Sequence, residues 1–158
     1  MNHALDRLAG EMDLDAAAHE RLRLEFGYAC VLRVKHLLEE QRAQDCLAGL
    51  GAYLEGAISS ARYDELRVEA ARLANAHQGS KSLDGCGHAA VSASYAVAKA
   101  LAGKAREAAD YAAYALVYGQ GGYGAIAERG SFEPEFSWQA NCLQALASRQ
   151  QAAQRSIP

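Results

Sequence analysis

Proline is almost missing from this chain. Only two occur, at 134 and 158, so the strongest helix breaker does not intervene between Met1 and Glu133. Proteins built from strands punctuate more often, with Pro and Gly at each turn. Excess charge of one sign is missing too: the net charge is -3 and the pI about 5.9. No basic field is available to release counterions from a nucleic-acid backbone, so nucleic acid is not an expected partner. No run approaches the ~18 consecutive apolar residues that span a bilayer, and the opening MNHALDRLAGEMD lacks the basic start and apolar core of a secretion signal. The expectation is a cytoplasmic protein with no membrane partner. Metal-type cysteine pairs are absent as well. Cys30, Cys46, Cys86 and Cys142 are scattered among apolar or small residues of apparently helical segments, and in a reducing compartment they read as buried free thiols.

What the chain does have is alanine, about 35 of its 158 residues. Alanine loses no side-chain entropy in a helix. With 51% hydrophobic and 22% charged residues, the composition is that of a folded globular chain of one-domain size. The predicted fold is all-α: one domain over 1–158, a bundle of about six to seven helices containing a close-packed, alanine-rich helix pair.

Hydrophobic spacing places the elements. A first helix is expected to begin near Asp13 as its N-cap and to run towards Leu38, with Leu14, Ala18, Leu22, Phe26 and Ala29 inward. A second carries Cys46, Leu47, Leu50, Tyr53 and Leu54 and ends at Gly56. Ser59 or Ser60 caps a third through Ala74, with Asp64 and Glu65 in its first turn, closing over His77 to Gly79. After the polar link GSKSLDGCG, a fourth helix presents the row Ala89, Ala93, Ala96, Ala100. A fifth, after Gly103, presents Ala105, Ala108, Ala109 and Ala112 beside an aromatic row of Tyr111, Tyr114 and Tyr118. The two alanine faces can approach closely and should form an antiparallel hairpin. A long loop is expected from Gly119 to Phe132, then a last helix with Pro134 in its first turn and Trp138, Cys142, Ala145 and Leu146 on one side. The tail from 155 to 158 should fray.

The candidates for chemistry are weak. GQGGYG, from Gly119 to Gly124, matches G-x-G-x-x-G, but it follows a helix rather than a strand and has no βαβ unit around it. His77, Cys86 and His88, with His36 or Cys46, lack the paired spacing of a zinc site, and His88 reads as a structural residue. No nucleophile elbow accompanies the Ser, Cys and His residues. Carboxylates such as Glu39 and Glu40 are adjacent on a helix and point about 100° apart. No cofactor, metal or catalytic residue is therefore expected, and the protein reads as a binder rather than an enzyme.

The segment from Tyr53 to Tyr114 carries YLEGAIS, EAARLANAH, CGHAAVSASYAVAKAL and EAADYAAYA in that order. In this it resembles the bacterial polymorphic-toxin immunity proteins of family five. The likeness covers about 60 of the 158 residues and rests most on the helix start Gly87-His88-Ala89-Ala90. It implies an all-helical bundle whose partner is a cognate toxin C-terminal domain, neutralised by blocking its active site or an essential surface. It carries over no catalytic residue and stops before Gly119. The expected contact is an aromatic and acidic patch of Tyr118, Tyr123, Glu128, Glu133 and Glu135, with Asp64, Glu65 and Glu69 second. Such a patch suits a basic target such as a nuclease. The alternatives are a bundle binding a small molecule or acting as an enzyme in an interior pocket near His88, and a homodimer formed through a broad apolar face.

Overall fold

The alanine rows decide how the helices meet. In the computed structural model, which describes residues 1–77 and 83–156, Ala89, Ala93, Ala96 and Ala100 are all buried, and so are Ala105, Ala108, Ala109 and Ala112. They line α5 (His88–Leu101) and α6 (Ala105–Ala127), which make the most extensive helix–helix contact in the molecule. Ring pairs Tyr95–Tyr111, stacked at 5.3 Å, and His88–Tyr118, at 5.4 Å, mark the antiparallel register expected from the Gly103 break. Against this pair lies α2 (Glu20–Leu32), with Leu22, Leu24, Phe26, Gly27, Cys30 and Val31 all buried. A Cβ on Gly27 would stand only 3.3 Å from the Cα and Cβ of Ala100, so α2 and α5 touch almost backbone to backbone.

The remaining helices wrap this centre. Helix α3 (Gln41–Leu54) buries Cys46, Leu47 and Leu50, and α4 (Ser60–Ala76) buries Leu66, Ala70, Leu73 and Ala74, the faces their spacing predicts. Ser59 is the cap of α4, its side chain accepting from the Arg62 amide. The Tyr63 hydroxyl donates to the Leu101 carbonyl, tying α4 to α5, and burial pushes that phenol up to about 12, which keeps the donor protonated. Helix α7 (Glu133–Arg155) begins with Pro134 in its first turn and lies on α1 and α2. Among the described residues there are seven α-helices, three short 3₁₀ turns and no strand.

Several boundaries differ from the sequence reading. A helix α1 (His3–Glu11) precedes everything expected, capped by Asn2, whose side chain accepts from the Leu5 amide. Asp13 is not a cap: at φ 53 it forms the turn after α1, a conformation Asp tolerates better than most residues. That turn drops Leu14 into the core, its amide bonded to the Ala9 carbonyl at 2.9 Å. The helix expected from Asp13 to Leu38 is therefore only α2, followed by the 3₁₀ turn Lys35–Leu37. On α7 the buried row is Glu135, Gln139, Leu143 and Ala147, whereas Ala145 is exposed. All four thiols are free, but Cys86 sits in the turn before α5 rather than in a helix. Part of the link GSKSLDGCG, the expected end of α4 through Gly79, and the last two residues of the tail lie outside the described residues.

Buried polar groups stitch the outer helices to the centre. Asn2 Nδ2 donates to Gln139 Oε1 at 3.2 Å, and Gln139 Nε2 donates to the Ala109 carbonyl at 2.8 Å, so one amide bridges α1, α7 and α6. Among the described residues every buried side-chain nitrogen and oxygen has a partner, as a low-dielectric interior requires. Because Ala112 is fully buried in the helix contact, the variant Ala112→Leu should lose about 1–3 kcal/mol of stability in urea unfolding. Ala145→Leu, on the exposed side of α7, should stay within about 0.5 kcal/mol.

Candidate interaction site

Helix α6 does not stop where its alanines stop. It continues through the glycines to Ala127, so the loop expected from Gly119 to Phe132 is instead a helix end followed by the 3₁₀ turn Arg129–Ser131. Two residues inside it, Gly121 and Gly122, leave helical geometry, and Gly122 takes φ 60, ψ -145, a region open essentially only to glycine. The cause is a docked neighbour. The Asp84 carbonyl oxygen sits where a Gly122 side chain would be and accepts the Tyr123 amide at 2.6 Å. The Tyr123 ring lies on Gly85, where a Cβ would come within 2.9 Å of the ring carbons. The Tyr123 hydroxyl and His88 Nε2 are hydrogen-bonded at 2.7 Å. The glycine motif is thus a kink that receives the α4–α5 connection.

The Asp84, Cys86 and His88 side chains are committed to this joint. Asp84 Oδ1 accepts the Cys86 amide at 3.1 Å and Oδ2 accepts the Cys86 thiol at 3.3 Å. The hydrogen bond to the carboxylate, with desolvation second, pushes the Cys86 thiol up, so it stays protonated at neutral pH and is a poor nucleophile. His88 turns its ring to the surface tyrosines rather than to an interior chamber. Among the described residues no group of three or more His, Cys, Asp and Glu is arranged to hold a metal ion.

From this joint an unbroken file of rings runs along one side of the molecule. Tyr123 meets Tyr118 edge-on at 6.2 Å, Tyr118 meets Tyr114 at 6.3 Å, Tyr114 meets Phe132 edge-on at 5.1 Å, and Phe132 stacks on Phe136 at 5.3 Å. Six large hydrophobic side chains are exposed among the described residues. Four belong to this side: Tyr123 (50% exposed) and Tyr114 (40%) in the file, Leu83 next to the docked Asp84, and Met1 at the Phe136 end. There a cleft of about 290 Å³ is lined by Met1, His3, Tyr114, Ile126, Arg129, Phe132, Glu133 and Phe136.

The structure separates the sequence candidates. Tyr118 is half-buried within the file and Tyr123 ends it; Glu128 and Glu133 are exposed, and Glu133 lines the cleft at the other end of the file. Glu135 is not a surface residue. It is 2% exposed, and its carboxylate accepts both Nε and Nη2 of Arg33 at 2.8 Å. It joins α2 to α7, because a carboxylate placed two residues after Glu133 on a helix turns inward. Asp64, Glu65 and Glu69 lie apart, on α4, and past its first turn since α4 begins at Ser60. They are matched by arginines: Asp64 by Arg67 at 3.5 Å, Glu65 by Arg62 at 2.8 Å, and Glu69 by Arg72 at 2.8 Å and by Arg42. The Arg72 hydrogen bond holds the Glu69 carboxyl below the usual range. Glu65 and Glu69, but not Asp64, line a groove of about 380 Å³ between α3 and α4 together with Asp45, Arg42 and Arg62. Arg129 and Phe132 fell inside the segment Gly119 to Phe132 expected to make contact but were not singled out, and Phe136 escaped the sequence reading. The i, i+4 spacing of Phe132 and Phe136 across Pro134 was the available signal.

The kink gives a direct test. Gly122→Ala meets both the Asp84 carbonyl and a forbidden backbone region, and should lose about 1–3 kcal/mol in denaturant unfolding. Gly124→Ala, with open space around its Cβ position, should be neutral or gain up to about 1 kcal/mol. Compared with protein-family models, with curated proteins and with solved structures, the chain matches none.

Proposed function

We infer that the chain is a binding protein of the immunity type, which neutralises a cognate bacterial toxin domain by covering its active site or an essential surface. The observation that carries this reading is the ring file with its exposed tyrosines. Rigid aromatic side chains lose little conformational entropy on contact and are enriched where protein interfaces concentrate their energy. Here they are fixed by neighbouring rings and by the docked α4–α5 connection. Charged groups at the edge, Glu128, Arg129 and Glu133, supply a polar rim. The filled alanine interior leaves the outer surface as the place of contact.

The test is co-expression with the C-terminal domain encoded by the adjacent reading frame. The expected result is a complex that survives purification and restores growth. Tyr114→Ala combined with Glu128→Arg should weaken it by at least roughly 30-fold, the loss of one interface hot spot, at an unchanged melting temperature. Val68→Ala, exposed on α4, should leave it intact. A complex indifferent to Tyr114 and Glu128, or none at all, contradicts the reading.

A further inference from the structure

Helices α2 and α7 pack on one another, and two side-chain ties fix their register. Just past the end of α2, Arg33 Nε donates to Glu135 at 2.8 Å and the guanidinium lies 4.0 Å over the Trp138 ring. Towards the start of α2, Glu25 accepts from Gln150 Nε2 at 3.3 Å. The helices therefore run antiparallel, and because both advance by the same rise per residue, Cys30 of α2 meets the turn of α7 that holds Cys142. Trp138, Cys142, Leu146 and Gln150 follow at four-residue steps, so they share one face of α7, and both ends of that row touch α2. Cys30 stands three residues before Arg33, on the same side of α2.

The two sulfurs share one environment and differ in access. Burial pushes the Cys30 thiol up, with Cys142 and then Glu135 adding to it and Arg33 opposing. Burial also pushes the Cys142 thiol up, with Arg149 and Arg33 opposing and Glu135 adding. The Arg33–Glu135 pair thus acts on both thiols, and Cys142 lies near enough to Cys30 for its charge to be felt there. Cys30 is fully buried, whereas Cys142 is half-buried and open on one side to a small solute. The other two thiols belong to other contacts: Cys46 lines the α3–α4 groove, and Cys86 is bonded to Asp84.

We propose that Cys30 and Cys142 are an oxidisable pair, which a hydroperoxide converts to a disulfide that staples α2 to α7. Cys142 reacts first. Its thiolate sulfur attacks one peroxide oxygen, the O–O bond breaks, the leaving oxygen takes the thiol's proton, and Cys142 becomes a sulfenic acid. The Cys30 sulfur, closed to solvent but facing Cys142, then attacks that sulfur and displaces the hydroxyl as water. Two thiols and one hydroperoxide give one disulfide, one alcohol and one water; the sulfurs together lose the two electrons that the O–O bond takes up. The thiolate is the reacting form and burial holds both thiols up, so the pair responds to sustained oxidation and reacts slowly at neutral pH. The bond closes a loop of about 110 residues, long enough to restrict the unfolded chain strongly. This inference is independent of the binding function proposed above.

The test treats the reduced, folded full chain with hydrogen peroxide, caps the remaining thiols with N-ethylmaleimide, and maps the digest by mass spectrometry without reductant. A joined pair of peptides carrying Cys30 and Cys142 is expected, with Cys46 capped. It should form roughly tenfold faster at pH 8 than at pH 7, as the thiolate fraction does below the thiol's pKa. The oxidised chain should melt roughly 10 °C higher, and dithiothreitol should reverse the shift. In Cys30→Ala, dimedone should trap Cys142 as the sulfenic acid. Both thiols still cappable after peroxide, either one joined to Cys86 or to a second chain instead, or a bond that forms only in urea overturns the pair. A bond that leaves the melting temperature unchanged or lower overturns the staple, and a pH-independent rate or no dimedone adduct overturns the order of reaction.

Discussion

Contact between alanine-lined helices is the constraint from which the rest of the structure follows. With a methyl group as the largest side chain along one row, helix axes can approach more closely than leucine or phenylalanine would allow. The backbones of α2, α5 and α6 then pack nearly directly on one another, as the position of Gly27 against Ala100 makes plain. A row of alanines buries little apolar area per residue, so the larger apolar groups are displaced outward. Phe26, Leu47, Leu50, Leu101 and Leu143 fill the gaps between the central helices and the outer ones. Tyrosines from the same helices emerge at the edges. Close packing in the middle and rings at the periphery are two results of one choice of residue.

The ring file acquires its shape from the way α6 ends. A straight helix would carry its last turns past the α4–α5 connection, whereas the kink at Gly121 and Gly122 turns Tyr123 back onto Gly85 and His88. Tyr123 is then held at its amide and at its hydroxyl, and it props Tyr118 from the side. At the other end, Pro134 starts α7 so that Phe132 and Phe136 stack across the junction. The inward Arg33–Glu135 pair locks α7 to α2 through a nearly buried carboxylate. Removal of one partner of such a pair is costly, so the junction is stiff. Exposed aromatic groups mounted on stiff elements are pre-organised for contact, with less ordering cost on association.

Much of this architecture was legible in the residues. The α5–α6 hairpin, the buried faces of α3 and α4, the Ser59 cap and the proline-led last helix follow from apolar spacing and capping chemistry, which act locally. The departures have tertiary causes. Helix α1 is short, and it is held by the long-range Asn2–Gln139 bond that no local pattern announces. The glycines after Tyr118 read as a loop because glycine is a poor helix former, but here Gly121 and Gly122 make only a kink that receives the Asp84 carbonyl, with helix on either side of it. Glu133 and Glu135 look alike in sequence, but the two-residue offset puts Glu135 on the buried row of α7, where Arg33 meets it, and leaves Glu133 outside. Half of the ring file was visible as the tyrosine spacing on α6. The other half, around Phe132 and Phe136, depends on how α7 folds back.

Native-state hydrogen exchange tests the central constraint most directly. If alanine packing is what the rest depends on, the amides of Ala96, Ala100, Ala108 and Ala112 should exchange only through global unfolding, with protection equal to the stability measured by denaturant. Exchange of α5 or α6 by a local opening well below that value, while α3, α4 and α7 stay protected, would contradict it.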